Sequence, residues 1–183
     1  MEALNREMAS IAVERVTHFT SRDLTELCEA ADDAIRAGGG FGWHKPPPRH
    51  IMEAYWRGAL LVPERAVFIG RLDAVVAGSA QLWRPTRNNE AQAHAATLMT
   101  NFVAPWARGH GLARLLTRTV EAAAREAGFK ILNLDVRETQ DAAIQLYESF
   151  GYVRWGRHPL YAMVEGKPVA GLFYYKRLDE GAA

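Results

Sequence analysis

The sequence predicts one domain of the α/β class, in its α+β form: a mixed central sheet of about seven strands flanked by about four helices. Three observations carry this. The apolar pattern switches repeatedly between a period of two and a period near 3.6 residues. Glycine and proline stand at the switches. The 183 residues suit a single core, and no repeat, low-complexity tract or linker divides them, so residues 1–183 are expected to form one domain.

Residues 11–19 read as the first strand. Thr20 and Asp23 offer a helix cap ahead of a stripe of Leu24, Leu27, Cys28, Ala31 and Ile35, and Gly38, Gly39 and Gly40 end that helix. Residues 41–48 then form an extended loop carrying Phe41, Trp43 and His44, because Pro46, Pro47 and Pro48 fix their own φ and restrict the residue before each. A short helix through Ile51, Tyr55 and Trp56 follows. Val67, Phe68 and Ile69 mark one strand and residues 74–83 the next, with a turn at Leu72 and Asp73 between them. Residues 84–90 are a polar hairpin loop, and residues 93–104 a strand that ends at Pro105.

The long helix after Pro105 carries Leu112, Leu115, Leu116, Val120 and Ala123 on its apolar face and stops at Gly128. Ile131, Leu132, Leu134 and Val136 form a strand. Ala143, Leu146, Tyr147 and Phe150 share one face of the last helix, which Gly151 terminates. Residues 152–156 and 169–175 close the chain as two strands around a turn at residues 165–168.

Charge narrows the partners. With 22 basic and 21 acidic residues the net charge is +1, so no global field draws the chain to nucleic acid or an anionic membrane, and a small ligand is expected. Cys28 is the single cysteine, which excludes an intrachain disulfide and a cysteine-rich zinc framework. The charged start lacks the apolar segment of a signal peptide, and no stretch approaches the roughly 20 apolar residues of a membrane span, so a cytoplasmic protein is expected. His44, His50, His94, His110 and His158 have no helical ligand spacing, so no metal is expected. No Gly-x-Ser-x-Gly elbow is present to suggest serine hydrolysis.

The turn Arg108-Gly109-His110-Gly111-Leu112-Ala113 joins a strand to a helix start, where unpaired N–H groups meet the positive end of the helix dipole. Two glycines let an oxygen approach the backbone, and Arg108 adds a cation. A tight connection without a ligand has the same local pattern. The Gly-Lys-Ser/Thr ending of a Walker loop is missing. A dinucleotide fingerprint would put Arg114 at its third glycine, although Asp135 could imitate the acidic residue that holds a ribose.

Arg108-x-x-Gly111-x-Ala113, after the strand Thr100-Asn101-Phe102-Val103, resembles the Gln/Arg-x-x-Gly-x-Gly/Ala motif of the GNAT superfamily of N-acetyltransferases. Leu132-x-Leu134-x-Val136 and the run Ala142-Ala143-Ile144-Gln145-Leu146-Tyr147, ending in Gly151-Tyr152, look like that family's next strand and helix. Together these motifs cover about half the chain. Within the superfamily, Gly39-Gly40-Phe41-Gly42, Tyr55-Trp56, Ser79-Ala80-Gln81-Leu82 and Gly156-x-x-Pro159-x-Tyr161 look similar to the tabtoxin-resistance group. Gln140 departs from the pattern, standing where many members have Asn.

The resemblance implies a mostly antiparallel sheet, acetyl-CoA as co-substrate, and a small primary amine as acceptor. It implies that the strands ending at Val103 and Val136 splay. Phe102 and Val103 would then offer main chain to the pantetheine, and one of them an N–H to the acyl oxygen. Residues 108–113, Gln140, Ala143 and Tyr147 complete the cofactor site. Tyr147 is implied as the acid that protonates the departing thiolate. Asp135 is the first candidate for the base, since strand alternation turns it away from Leu134 and Val136; Glu90 and His94 are further candidates. Phe41, Trp43, His44 and Tyr161 are expected to shape the acceptor pocket. The competing readings are a non-catalytic acyl-CoA sensor and an NAD-dependent oxidoreductase, and a homodimer through the closing strands is a further expectation.

Overall fold

A computed structural model describes residues 9–39 and 42–179. Its elements keep the expected order: β1 (Ile11–Val16), α1 (Ser21–Arg36), α2 (Arg49–Leu61), β2 (Arg65–Leu72), β3 (Val75–Trp83), β4 (Ala95–Val103), α3 (Leu112–Glu126), β5 (Ile131–Arg137), α4 (Asp141–Ser149), β6 (Val153–Val164) and β7 (Lys167–Arg177). The first cap forms as its residues predict. Thr20 accepts the Asp23 N–H at 3.0 Å and donates its hydroxyl to the Asp23 carboxylate at 2.7 Å. At the end of α3, Gly128 takes φ 84, which lets the Phe129 N–H return to the Ala124 carbonyl at 3.0 Å.

The strands form one sheet in the order β1-β2-β3-β4-β5-β7-β6. Every neighbouring pair is antiparallel except β4 with β5. Alternation along the strands gives the sheet two apolar faces. One packs under α1 and α2, with Leu27, Ile35, Met52, Trp56, Val67, Ile69 and Phe102 at its heart. The other packs under α3 and α4 through Phe68, Leu82, Leu98, Leu116, Val120, Leu132, Leu134 and Tyr174. Arg71 bridges β1 and α1, pairing with Glu14 at 2.9 Å and Asp23 at 2.7 Å.

Several expectations shift. Met52 and Ala59 are buried with Trp56 in α2, whereas Ile51 points outward, and on the apolar face of α3 Ala124 is fully buried beside a half-buried Ala123. Residues 105–107 are a separate 3₁₀ turn ahead of α3. The last two strands run longer than expected. β6 breaks register with β7 twice, between Arg154 and Gly156 and between His158 and Ala162. The first shift inserts one residue and inverts the inside-outside pattern near Gly156, and the second inserts two, so alternation alone does not reveal this stretch.

The feature that shapes the centre is a bulge in β4. Its register with β3 moves from Gln81 opposite Met99 to Ser79 opposite Phe102. Thr100 and Asn101 therefore share the place opposite Ala80, and Thr100 sits at φ 51. A bulge bends its strand, and here β4 leaves β5 soon after pairing begins. The parallel ladder contains only Ala95 with Ile131, Ala96 with Leu132 and Thr97 with Asn133. From Thr97 to Val103 the strands part, leaving a slot about 20 Å long by strand rise.

Candidate active site

Main-chain direction in β4 decides what the slot offers. The Ala104 N–H donates to the Ala77 carbonyl at 2.8 Å, across to β3. In an antiparallel ladder these directions alternate, so Phe102 also turns its main chain toward β3 and Val103 turns its N–H and C=O into the slot. Of the two residues expected to present main chain, Val103 is the one placed to do so. Phe102 instead sends its ring into the core, 6.2 Å from Trp56. Gly78 admits the close approach, because a Cβ there would overlap the Phe102 carbonyl oxygen and lie 3.2 Å from Val103 Cα.

At the mouth of the slot, Gly109 and Gly111 both take φ 83, and Gly111 is the N-cap of α3. Only a glycine adopts that region without strain. The Leu115 N–H is the one that returns to the Gly111 carbonyl, at 3.0 Å. The N–H groups of Leu112 and Ala113 precede it in the first helical turn and point out of the helix start. Leu112 anchors this turn by packing on β2, where Gly70 leaves room for its side chain. Arg108 and His110 are exposed on the rim, and His110 Nδ1 lies 3.4 Å from the Ala107 carbonyl.

On the α3 and α4 side of the slot stands Tyr147, only 6% exposed. Its hydroxyl accepts an N–H of Asn101 at 3.2 Å, and the same amide donates to Thr117 Oγ1 at 3.1 Å. The Asn101 Oδ1 is buried and accepts no hydrogen bond from the described residues. Burial pushes the Tyr147 phenol up to about 12, with the Asn101 N–H opposing and the Asp135 charge assisting. Ala143 is half-buried on the same helix, packed against the core below.

Asp135 lies on the other face, as alternation predicts: Leu134 and Val136 are buried while Asp135 is exposed. Its carboxylate accepts a hydrogen bond from the Tyr161 hydroxyl. Tyr161 reaches it because the β6 bulge lays its ring over Gly171 and edge-on to Phe173, with centroids 5.8 Å apart. Burial, the Asp135 hydrogen bond and the Asp135 charge all raise the Tyr161 phenol above its usual range.

The loop before α2 closes the same side. Trp43 packs edge-on against Tyr55 at 5.2 Å. The Tyr55 hydroxyl accepts from Gln81 Nε2 at 3.3 Å and sits 3.5 Å from Thr100 Oγ1 at the bulge. His44 is exposed on this loop, and Phe41 lies outside the described residues. The Gln140 side-chain amide donates to the Gly38 carbonyl at 2.7 Å, tying the end of α1 to the start of α4. The long side chain reaches the loop after α1, and that N–H is committed there.

Glu90 and His94 are remote. The His94 carbonyl accepts the N–H groups of Lys130 and Ile131 at 2.8 and 3.2 Å, where β4 and β5 are zipped together. Strand rise puts that end about 26 Å from Val103. Asn101 is the residue that sequence reasoning passed over. Its signal was an amide between Met99 and Phe102 in an apolar strand, which a bulge turned inward. The dinucleotide reading also fails here, since a doubly wound sheet is parallel and this one has a single parallel pair among the described residues.

Comparison with known proteins agrees with this geometry. The model of the acetyltransferase (GNAT) family matches residues 25–152. An uncharacterized N-acetyltransferase encoded in the hisH-hisA intergenic region of Azospirillum brasilense is 67% identical over 133 residues, which is 73% of this chain and 79% of that protein. The yncA structure of Salmonella typhimurium, solved with its cofactor acetyl-CoA, superposes with a TM-score of 0.73 at 20% identity, covering 94% of this chain and 96% of that one. An N-acetyltransferase of Staphylococcus aureus Mu50 superposes with a TM-score of 0.77 at 19% identity over 92% and 99% of the two chains.

Proposed function

The chain belongs to the GNAT acetyltransferase family, and from that premise we propose that it transfers the acetyl group of acetyl-CoA to a primary amine of a small molecule, by direct attack in a ternary complex. The observation that carries the proposal is the parting of β4 and β5, with Tyr147 on one side of the slot and Asp135 on the other. Acetyl-CoA fits the residues present. Val103 offers main chain along the slot, and residues 108–113 offer glycines, helix-start N–H groups and a cation where a pyrophosphate needs them. Bound there, acetyl-CoA supplies an acyl group activated as a thioester.

The protein's own residues divide the proton work. An aliphatic ammonium, with a pKa of about 10, must lose a proton before it can attack. Asp135 is exposed and faces the acceptor side, where it attracts that ammonium and takes up its proton, directly or through water, as the amine attacks. Tyr161 holds the carboxylate in place through its hydroxyl. Across the slot, Tyr147 keeps its phenol proton at neutral pH, because its pKa stands at about 12, and so has a proton to present to a departing thiolate. Asn101 fixes the aim of that phenol. Trp43 and Tyr55 wall the acceptor side near the bulge.

Calorimetric titration with acetyl-CoA, with NADH as a parallel ligand, tests the cofactor assignment. Micromolar binding of acetyl-CoA alone is expected, and binding of NADH alone would overturn the reading. Tyr147→Phe should then keep acetyl-CoA binding within a few-fold and lower amine turnover by about 10²-fold; unchanged turnover removes Tyr147 from the mechanism. We extend the proposal to a homodimer through β6, the edge strand, which exposes Trp155 at 65%, Leu160 at 67% and Met163 at 57%. A gel-filtration mass of one chain would refute it.

A further inference from the structure

We infer that the acceptor is an amine that also carries a carboxylate, an α-amino acid in the simplest case, with its ammonium held by Asp135 and its carboxylate by Arg137. The inference rests on the acetyltransferase reading and deepens it by naming the acceptor class.

β5 buries Leu132, Leu134 and Val136 toward α3 and α4, so Asp135 and Arg137 share the opposite, acceptor-side face. In register, Asp135 stands opposite Phe173 and Arg137 opposite Gly171. Directly opposed residues of antiparallel strands project to the same face. The space a Gly171 side chain would fill is taken by the Tyr161 ring, so Arg137 flanks Tyr161, whose hydroxyl reaches Asp135. The Arg137 charge acts on the Tyr161 phenol, opposing the Asp135 charge. A cation and an anion therefore border one tyrosine on one face.

Arg137 is half-buried. Its guanidinium enters no ion pair or side-chain hydrogen bond among the described residues, including none with Asp135. The acidic residue next to it, Glu138, is engaged elsewhere, bound in a two-pronged contact by Arg157 at 2.8 and 2.9 Å. A guanidinium is a planar fork matched to a carboxylate. Same-face neighbours on a strand stand about 6.7 Å apart. Side chains rooted that far apart on one face leave room between their charged ends for an ammonium and a carboxylate joined through one carbon, each held by a charge-assisted bond of about 2.8 Å.

The test compares the proteinogenic amino acids with their methyl esters as acceptors, measuring CoA thiol release, and titrates acetyl-CoA into each protein separately. For the native protein at least one free amino acid should exceed its ester in kcat/KM by about 10- to 100-fold, the range of a charge-assisted contact. Arg137→Met should abolish that preference by raising KM for the acid, with kcat for the ester and acetyl-CoA binding unchanged. Arg137→Lys should restore part of it. Arg137→Gln serves in place of the methionine variant if thermal melting shows the latter misfolded. An ester used as well as its acid by the native protein overturns the inference, as does a preference that survives loss of Arg137. A loss of acetyl-CoA binding in Arg137→Met assigns the residue to the cofactor and overturns it too. A native protein that binds acetyl-CoA but acetylates none of these compounds refutes the acceptor class alone, whereas one that does not bind acetyl-CoA refutes the acetyltransferase reading beneath it.

Discussion

Gly171→Ala adds a methyl group at the point where the acceptor side is most tightly built. Its Cβ would lie 2.7 Å from Tyr161 Cδ1 and closer still to Cγ, so the ring has to move. The backbone itself tolerates alanine, since Gly171 lies within a regular strand opposite Arg137. Moving the ring forfeits its edge-on contact with Phe173, about 0.5–1.5 kcal/mol, and its hydrogen bond to a charged carboxylate, about 1.5–3 kcal/mol. Exposure of Asp135 places the second figure at its low end, and alanine recovers about 0.5–1 kcal/mol over glycine in a strand. The net loss is about 1–2 kcal/mol, a fall in Tm of roughly 2–8 °C for a chain of this length. Because Asp135 loses its support, KM for the amine should rise about tenfold while acetyl-CoA affinity stays unchanged. Tyr161→Ala in the same chain removes the clash, so the double variant should be no less stable than Tyr161→Ala alone. Simple additivity of the two losses, or a Gly171→Ala protein with native Tm and native amine KM, would refute the reasoning.

Asn101→Leu should leave acetyl-CoA affinity within a few-fold and lower turnover about tenfold, because the Tyr147 hydroxyl loses the donor that aims it; steady-state kinetics beside calorimetry separates the two effects. Alkaline stability should fall in two stages. Burial raises Cys28 from 9.0 to about 11, and burial raises Tyr147 from 10.0 to about 12. Both pKa values are higher in the folded state, so each group's contribution is complete below its unfolded pKa and disappears as pH climbs through the folded one, at most about 2.7 kcal/mol apiece. Thermal melts from pH 8 upward should therefore begin to fall near pH 9, a first stage that Cys28→Ala removes.

The legible parts of the fold were those with an uninterrupted period. α1 announced itself through Thr20, Asp23 and a clean buried stripe, and the parting of the strands followed from a family motif at residues 108–113. What escaped was everything made by an irregularity. A bulge adds a residue without a sequence mark of its own, so neither the β4 insertion at Thr100 nor the β6 insertion before Ala162 could be read from alternation. Those two bulges aim Asn101 and Tyr161. The roles of Gly78 and Gly171 were invisible for a related reason, since each is explained by a residue distant in sequence, Phe102 and Tyr161, approaching its empty Cβ position. The contact of Gln140 with Gly38 could not be read either, because the two are 102 residues apart.

The opposite placement of Asp135 and Tyr147 also couples them. The sheet separates their faces except where β4 and β5 part, and across that gap the Asp135 charge helps hold the Tyr147 proton, second to burial among the forces raising its pKa. An ammonium docked on Asp135 cancels part of that charge. On the mechanism proposed above, Tyr147 would then be a readier proton donor with an acceptor amine in place and a poorer one with the site empty, which would disfavour loss of thiolate to water. Asp135→Asn imitates the neutralised state permanently, so the Tyr147 pKa should fall below about 12 while burial still holds it above the ordinary value. Spectroscopic titration of tyrosinate in that variant, with Tyr147→Phe subtracted in each background to isolate the one phenol, measures the shift. The Asp135→Asn protein should hydrolyse acetyl-CoA faster than the native one even as its amine transfer falls. A Tyr147 pKa that ignores the substitution would show that burial alone sets it, and that the two faces act independently.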